Sequence, residues 1–139
     1  RSWSNVSNAI TVESEFIAPR NNLVDVTDKE LVEITLPTLT GASGMLAYNV
    51  RATDGATPQV RSGIVRFSAV NIGGTYTTES AIVNEGEVTP TGTLTCTFNF
   101  LNGTDKTTLR INCDTSLTPT DFFVKYHLLN PSEQGMILK

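Results

Sequence analysis

Apolar side chains recur at every second position through much of this chain. In Leu94-Thr-Cys-Thr-Phe-Asn-Phe-Leu101 they fall at Leu94, Cys96, Phe98 and Phe100, and in Thr107-Thr-Leu-Arg-Ile-Asn-Cys113 at Leu109, Ile111 and Cys113. Thr95, Thr97, Asn99, Arg110 and Asn112 stand between them. Successive side chains of a strand point to opposite faces, so a period of two marks a half-buried strand. The runs are split by Asn102-Gly103-Thr104-Asp105, and Asn-Gly accepts the positive φ of a tight turn. An antiparallel hairpin is therefore predicted. A four-residue loop over 102–105 pairs Leu101 with Lys106 and puts Cys96 opposite Ile111, diagonal to Cys113. Diagonal neighbours lie roughly 7–8 Å apart, near the outer limit for a disulfide. Two buried free thiols are expected.

The same alternation predicts strands at Ile10–Phe16, Leu31–Leu36, Met45–Ala52, Gln59–Asn71, Thr75–Val83 and Phe122–Leu129. Clusters of turn residues separate them at 19–22, 40–44, 54–58, 85–92 and 116–120, and Pro37 and Asn130-Pro131 close two of the runs. Gln59–Asn71 is apolar on both faces, with Ile64 and Val70 on one and Val65, Phe67 and Ala69 on the other. That pattern fits a strand covered on both sides, by a second sheet or by another subunit. About eight strands, turn signals roughly every 8–12 residues and no helical period predict an all-β, antiparallel β-sandwich, jelly-roll-like. Spacing alone leaves immunoglobulin-like and other Greek-key orders open. Residues 1–9 read as a flexible lead-in from a preceding shaft or domain, 10–131 as the sandwich and 132–139 as an irregular tail. The chain starts at Arg1 rather than Met, which predicts a fragment or a processed chain.

Composition narrows the function classes. With 139 residues the chain has the size of one domain with its own core. Ten Lys and Arg against 14 Asp and Glu leave a net charge of −4, which argues against a nucleic-acid backbone as partner. No run approaches the roughly 18 apolar residues of a membrane span.

Candidate chemistry is sparse. The single histidine, His127, shares a strand face with Phe123, Lys125 and Leu129 and lacks a serine at a nucleophile elbow, so it reads as a strand residue at a surface or subunit contact. One histidine and two cysteines on a packed hairpin do not make a zinc site. Asp25, Asp28, Glu30 and Glu33 lack the spacing of a calcium loop and read as a solvated acidic turn. Glu85 and Glu87 flank a glycine and read as solubilising charge rather than a facing catalytic pair. No catalytic residue, metal or cofactor is expected, and no enzyme.

Recognition residues belong on exposed loops and strand faces. Loops 41–44, 54–58 and 85–92 are the candidate contact segments, with Asp54, Glu85 and Glu87 as their acidic residues. Tyr48 and Tyr76 are the aromatic side chains expected to face solvent, Trp3 lying in the lead-in. The two-sided strand makes Ile64 and Phe67 candidates for a subunit interface, together with His127.

Val60-Arg-Ser-Gly-Ile-Val-Arg-Phe-Ser-Ala-Val-Asn71, the following Gly73-Gly-Thr-Tyr-Thr77, and Ser116-Leu-Thr-Pro-Thr120 leading to Tyr126-His-Leu-Leu-Asn130 carry a resemblance. Over about residues 23–130 the chain resembles the C-terminal head or knob domains of bacteriophage tail fibres and tailspikes. The resemblance implies a homotrimeric sandwich in the virion, outside the host cell. Such a module locks a trimer, binds a host cell-surface glycan or protein, or does both, through avidity of linked copies. Family members that cleave glycans carry their carboxylates in a separate shaft domain, so no catalytic residues are transferred. The competing expectations are a stand-alone carbohydrate-binding or adhesion domain and a capsid decoration protein.

Overall fold

A computed structural model describes residues 12–17, 25–132 and 135–139. Nine strands lie among these residues: β1 (Val12–Ile17), β2 (Asp25–Ile34), β3 (Thr40–Thr53), β4 (Pro58–Ile72), β5 (Thr75–Val88), β6 (Leu94–Asn102), β7 (Thr107–Thr115), β8 (Asp121–Leu129) and β9 (Met136–Leu138). They form two antiparallel sheets ordered β1-β8-β3-β4-β5 and β6-β7-β2-β9. The expected antiparallel β-sandwich forms, and no helix occurs among the described residues.

The period of two supplies the core from both layers. Leu46, Tyr48 and Val50 of β3, Val65, Phe67 and Ala69 of β4, and Phe122, Val124 and Tyr126 of β8 all point inward from the five-stranded sheet. Val32 and Ile34, Leu94 and Cys96, and Leu109, Ile111 and Cys113 meet them from the other sheet. Phe100 closes onto Phe67 edge-on, with ring centroids 6.5 Å apart. At one end Gln59 is fully buried, donating to the Thr91 carbonyl at 2.7 Å and accepting from Thr115 Oγ1 at 2.6 Å. Such a buried amide is tolerable only because both ends are bonded.

Four expectations are corrected. Residues 40–44 are strand, not loop: Gly41 and Gly44 pair with Val70 and Phe67 in the β3–β4 ladder. Gly44 is there for packing, since a Cβ would stand 3.0 Å from Phe67 Cζ.

The β6–β7 turn occupies 103–106, one residue later than expected, with Asn102 paired to Thr107. Side-chain bonds draw Asn102 into the ladder: it accepts from Thr107 Oγ1 at 2.6 Å and donates to the Tyr76 carbonyl at 3.3 Å. Gly103 N–H donates to the Lys106 carbonyl at 2.7 Å and closes the turn. The resulting register moves each partner by two, so faces are preserved, but Cys96 now stands directly opposite Cys113. Both cysteines are free and buried.

Residues 85–88 extend β5 rather than open a loop. The register shift between Ile64 and Val65 leaves Val83 without a partner on β4. One extra residue inverts side-chain parity. Tyr76 and Ser80 face inward before the bulge, while Glu85 and Glu87 pair with the inward-facing Gly63 and Arg61 after it.

The segment 132–139 is not wholly irregular, because Met136–Leu138 pairs with β2 as β9. Lys139 then sets its ammonium 3.3 Å from Glu33. The lead-in 1–9 lies outside the described residues, and the expected first strand is described from Val12 onward.

Candidate functional site

Three residues expected at a ligand surface meet around one cation inside the sandwich. Tyr48, Gly63 and Glu85 form a single cross-strand row on β3, β4 and β5. Gly63 has no side chain, so the Tyr48 hydroxyl passes over it and donates to Glu85 Oε2 at 2.6 Å. A Cβ on Gly63 would lie 2.7 Å from that hydroxyl oxygen and would also collide with the Asn84 carbonyl. Arg61 completes the set. Its Nη2 contacts Glu85 Oε1 at 2.8 Å, and its Nη1 contacts Glu87 Oε2 at 2.9 Å and the Leu94 carbonyl at 2.8 Å.

The electrostatics follow from this arrangement. Arg61 holds the Glu85 carboxyl below its usual range, assisted by the Tyr48 hydroxyl and opposed by burial. Burial, then the neighbouring Glu85 carboxylate, pushes the Tyr48 phenol above its ordinary value. Glu85, in turn, raises the Arg61 guanidinium further. Both terminal nitrogens of Arg61 are bonded in this way, while its buried Nε has no hydrogen-bond partner among the described residues. Because Arg61 bonds the β6 backbone and Tyr48 packs on Phe98 at 4.9 Å, the cluster acts as a clasp between the two sheets.

The expectation of Tyr48 as an exposed platform is thereby corrected: it is 1% exposed, on the inward face with Leu46 and Val50. Glu85 is turned inward by the Val83 bulge, while Glu87 keeps a half-exposed side chain at 45%. Tyr76 is also buried. Its hydroxyl accepts from Leu36 N–H at 2.9 Å and donates to the Asp105 carbonyl at 3.0 Å, tying the start of β5 to the β2–β3 connection and the β6–β7 turn. Asp54 does sit on an exposed turn. Its Oδ1 accepts from Ala56 and Thr57 N–H at 2.9 and 2.7 Å, and those bonds lower its carboxyl pKa.

The interface candidates separate by parity. Phe67 is 0% exposed and faces this chain's own core, so the inner face of β4 is covered by the second sheet. Ile64 and His127 lie together on the other face, in one row with Ala47 between them. Arg51 and Phe123 pair in a nearby row of that face, the guanidinium 4.4 Å from the ring centroid. Val60 and Val88 stand opposite each other at its β4–β5 end, both exposed.

The outside of the four-stranded sheet carries a polar depression of about 330 Å³, lined by Thr27, Thr95, Thr97, Asn112 and Asp114 among others. Alternation along β6 and β7 already placed these Thr and Asn side chains outward. The contribution of β2 was hidden, because irregular pairing between Val26 and Lys29 sets the position of Thr27 and Asp28. Asp28 adopts φ 51° and its N–H donates to Asn112 Oδ1 at 2.9 Å. Arg61 was also missed: opposite charges across a ladder are visible only once the strand register is known. Among the described residues, no three His, Cys, Asp or Glu side chains are grouped to hold a metal.

No protein-family model matches the sequence, and no curated protein matches it. Solved structures do share the fold. The tailspike protein of Acinetobacter baumannii phage AM24 superposes over 100% of this chain with a TM-score of 0.53 at 8% identity. The tailspike protein of Acinetobacter phage vB_ApiP_P1 covers 91% of it with a TM-score of 0.51 at 13% identity. This chain spans only 30% and 22% of those two proteins. At such identities the likeness is one of fold.

Proposed function

We propose that this chain is a β-sandwich module of a bacteriophage tail spike or fibre, serving virion structure and attachment to a host surface glycan or protein. The observation that carries the reading is the shared fold with two phage tailspikes, one over the whole chain, each of them more than three times its length. In this reading the module works as a homotrimer, in which weak contacts multiply through linked copies. The outer face of the five-stranded sheet, with Ile64, Ala47 and His127 in one row, is the side turned to a neighbouring subunit. The polar depression around Thr95, Thr97 and Asn112, and the exposed Asp54 turn, are left for the receptor. No catalytic role is assigned.

Light scattering after size exclusion tests the assembly directly. A mass near three times 15.0 kDa is expected, and the trimer should then retain host-surface polysaccharide on a glycan array. A monomer at micromolar concentration would refute the trimeric module and favour a stand-alone binding or decoration domain.

A further inference from the structure

Cys96 on β6 and Cys113 on β7 are direct partners across the ladder. They are 6% and 2% exposed, and their sulfurs stand 3.7 Å apart. Directly opposed residues in an antiparallel pair have Cα atoms about 4.5–5.5 Å apart. That separation falls inside the window of about 4.4–6.8 Å that a disulfide spans. Side-chain rotation alone can then bring the sulfurs to bonding distance. We propose that Cys96 and Cys113 are an oxidative modification site, at which an intrachain cross-strand disulfide staples the edge strand β6 to β7.

The surroundings make this site addressable. Among the described residues β6 ends the four-stranded sheet and has one ladder partner, β7. Cys96 lines an opening of about 280 Å³ between β5 and β6, bounded by Ser80, Ile82, Thr97 and Phe98 among others. A small oxidant reaches the pair by that route when β6 loosens, or before the hairpin zips during folding. In the zipped state the contact with Cys96 and burial raise the Cys113 pKa and keep that group a thiol, and thiols are far poorer nucleophiles than thiolates.

With oxidised glutathione as oxidant, the chemistry balances. One cysteine thiolate attacks a glutathione sulfur, forms a mixed disulfide and expels one glutathione thiolate. The second cysteine thiolate attacks the bound cysteine sulfur and expels the other. Two protons leave the protein thiols, two electrons pass to glutathione, and two reduced glutathione molecules result. The strands hold the second thiol in place, so the second step outruns release of the mixed adduct.

Refolding the chain in oxidised glutathione, then alkylating and weighing intact protein and peptides, tests the proposal. The expected product has lost two hydrogens, resists alkylation at both cysteines and yields one linked peptide joining Cys96 to Cys113. Its thermal midpoint should exceed that of the reduced chain by roughly 10 °C, and a reductant should reverse the gain. Two alkylatable thiols after refolding, glutathione adducts alone, a disulfide between chains, or a lowered midpoint would each overturn it. The wild-type chain serves throughout, so no variant has to fold.

Discussion

Replacing Tyr48 by Phe removes one oxygen from the interior and leaves the ring against Phe98, 4.9 Å between centroids. What disappears is the 2.6 Å hydrogen bond to Glu85 Oε2. Hydrogen bonds to ionised groups contribute about 1.5–3 kcal/mol net. Glu85 keeps Arg61, and its side chain is 19% exposed, so water can replace part of what is lost. The expected cost is therefore about 1–2 kcal/mol. Glu85→Ala should cost about 2–3 kcal/mol, because it strips the partner from a buried phenol while Arg61 retains Glu87 and the Leu94 carbonyl. The double variant should fall short of the sum by about 1 kcal/mol, which is the coupling across Gly63. Urea unfolding followed by circular dichroism measures all three, provided the m-value stays constant. The pH dependence has a definite sign. Glu85 is depressed in the folded state, so its share of stability is present above the ordinary carboxylate value of 4.5 and is lost as pH falls through the lower folded value. The Tyr48→Phe penalty should shrink over that same acid window, since a protonated carboxyl accepts a weaker bond. A penalty below about 0.5 kcal/mol at neutral pH, with an additive double variant, would refute the clasp.

Gly63→Ala tests the same row from the other side: overpacking between Tyr48 and the Asn84 carbonyl should cost about 1–3 kcal/mol, read as a lower urea midpoint, and an unchanged midpoint would show that the row relaxes freely. Phe67→Asp places a carboxylate where nothing is exposed, so it should abolish the folded far-ultraviolet spectrum rather than dissociate an assembly. Ile64→Asp, on the opposite face of the same strand, should leave that spectrum intact and convert the proposed trimer to monomer by light scattering; a trimer that survives would remove this face from the contact.

Periodicity carried the fold a long way. The alternations in β3, β4, β6, β7 and β8 put Leu46, Val65, Phe67, Leu109 and Val124 inside, and they are inside. What alternation could not supply was register. The Asn102 side chain decided where the β6–β7 turn falls, and a two-residue change of partner turned diagonal cysteines into opposed ones. Glycine misled at Gly41 and Gly44, where closeness to β4 rather than chain reversal requires it. The candidate site was legible only as residue types. Tyr48, Glu85 and Glu87 were singled out, but their convergence on Arg61 needs three strands aligned and a bulge counted. Strand order was not legible either, since β2, β6, β7 and β9 alternate along the chain with strands of the other sheet.

Val83 gives this chain a sensitivity that its composition hides. Every inward position of β5 after residue 83 is addressed through that one unpaired residue. Were Val83 to take a place in the ladder opposite Ile64, Asn84 would fall opposite Gly63 and Glu85 opposite Ser62, sending the carboxylates to the solvent and leaving Arg61 without an anion. Deleting Val83 would only straighten the strand, since Ile82 and Asn84 already pair with the consecutive Val65 and Ile64. The interior of this strand depends on which residue stays out of the ladder, a choice that no alignment column records.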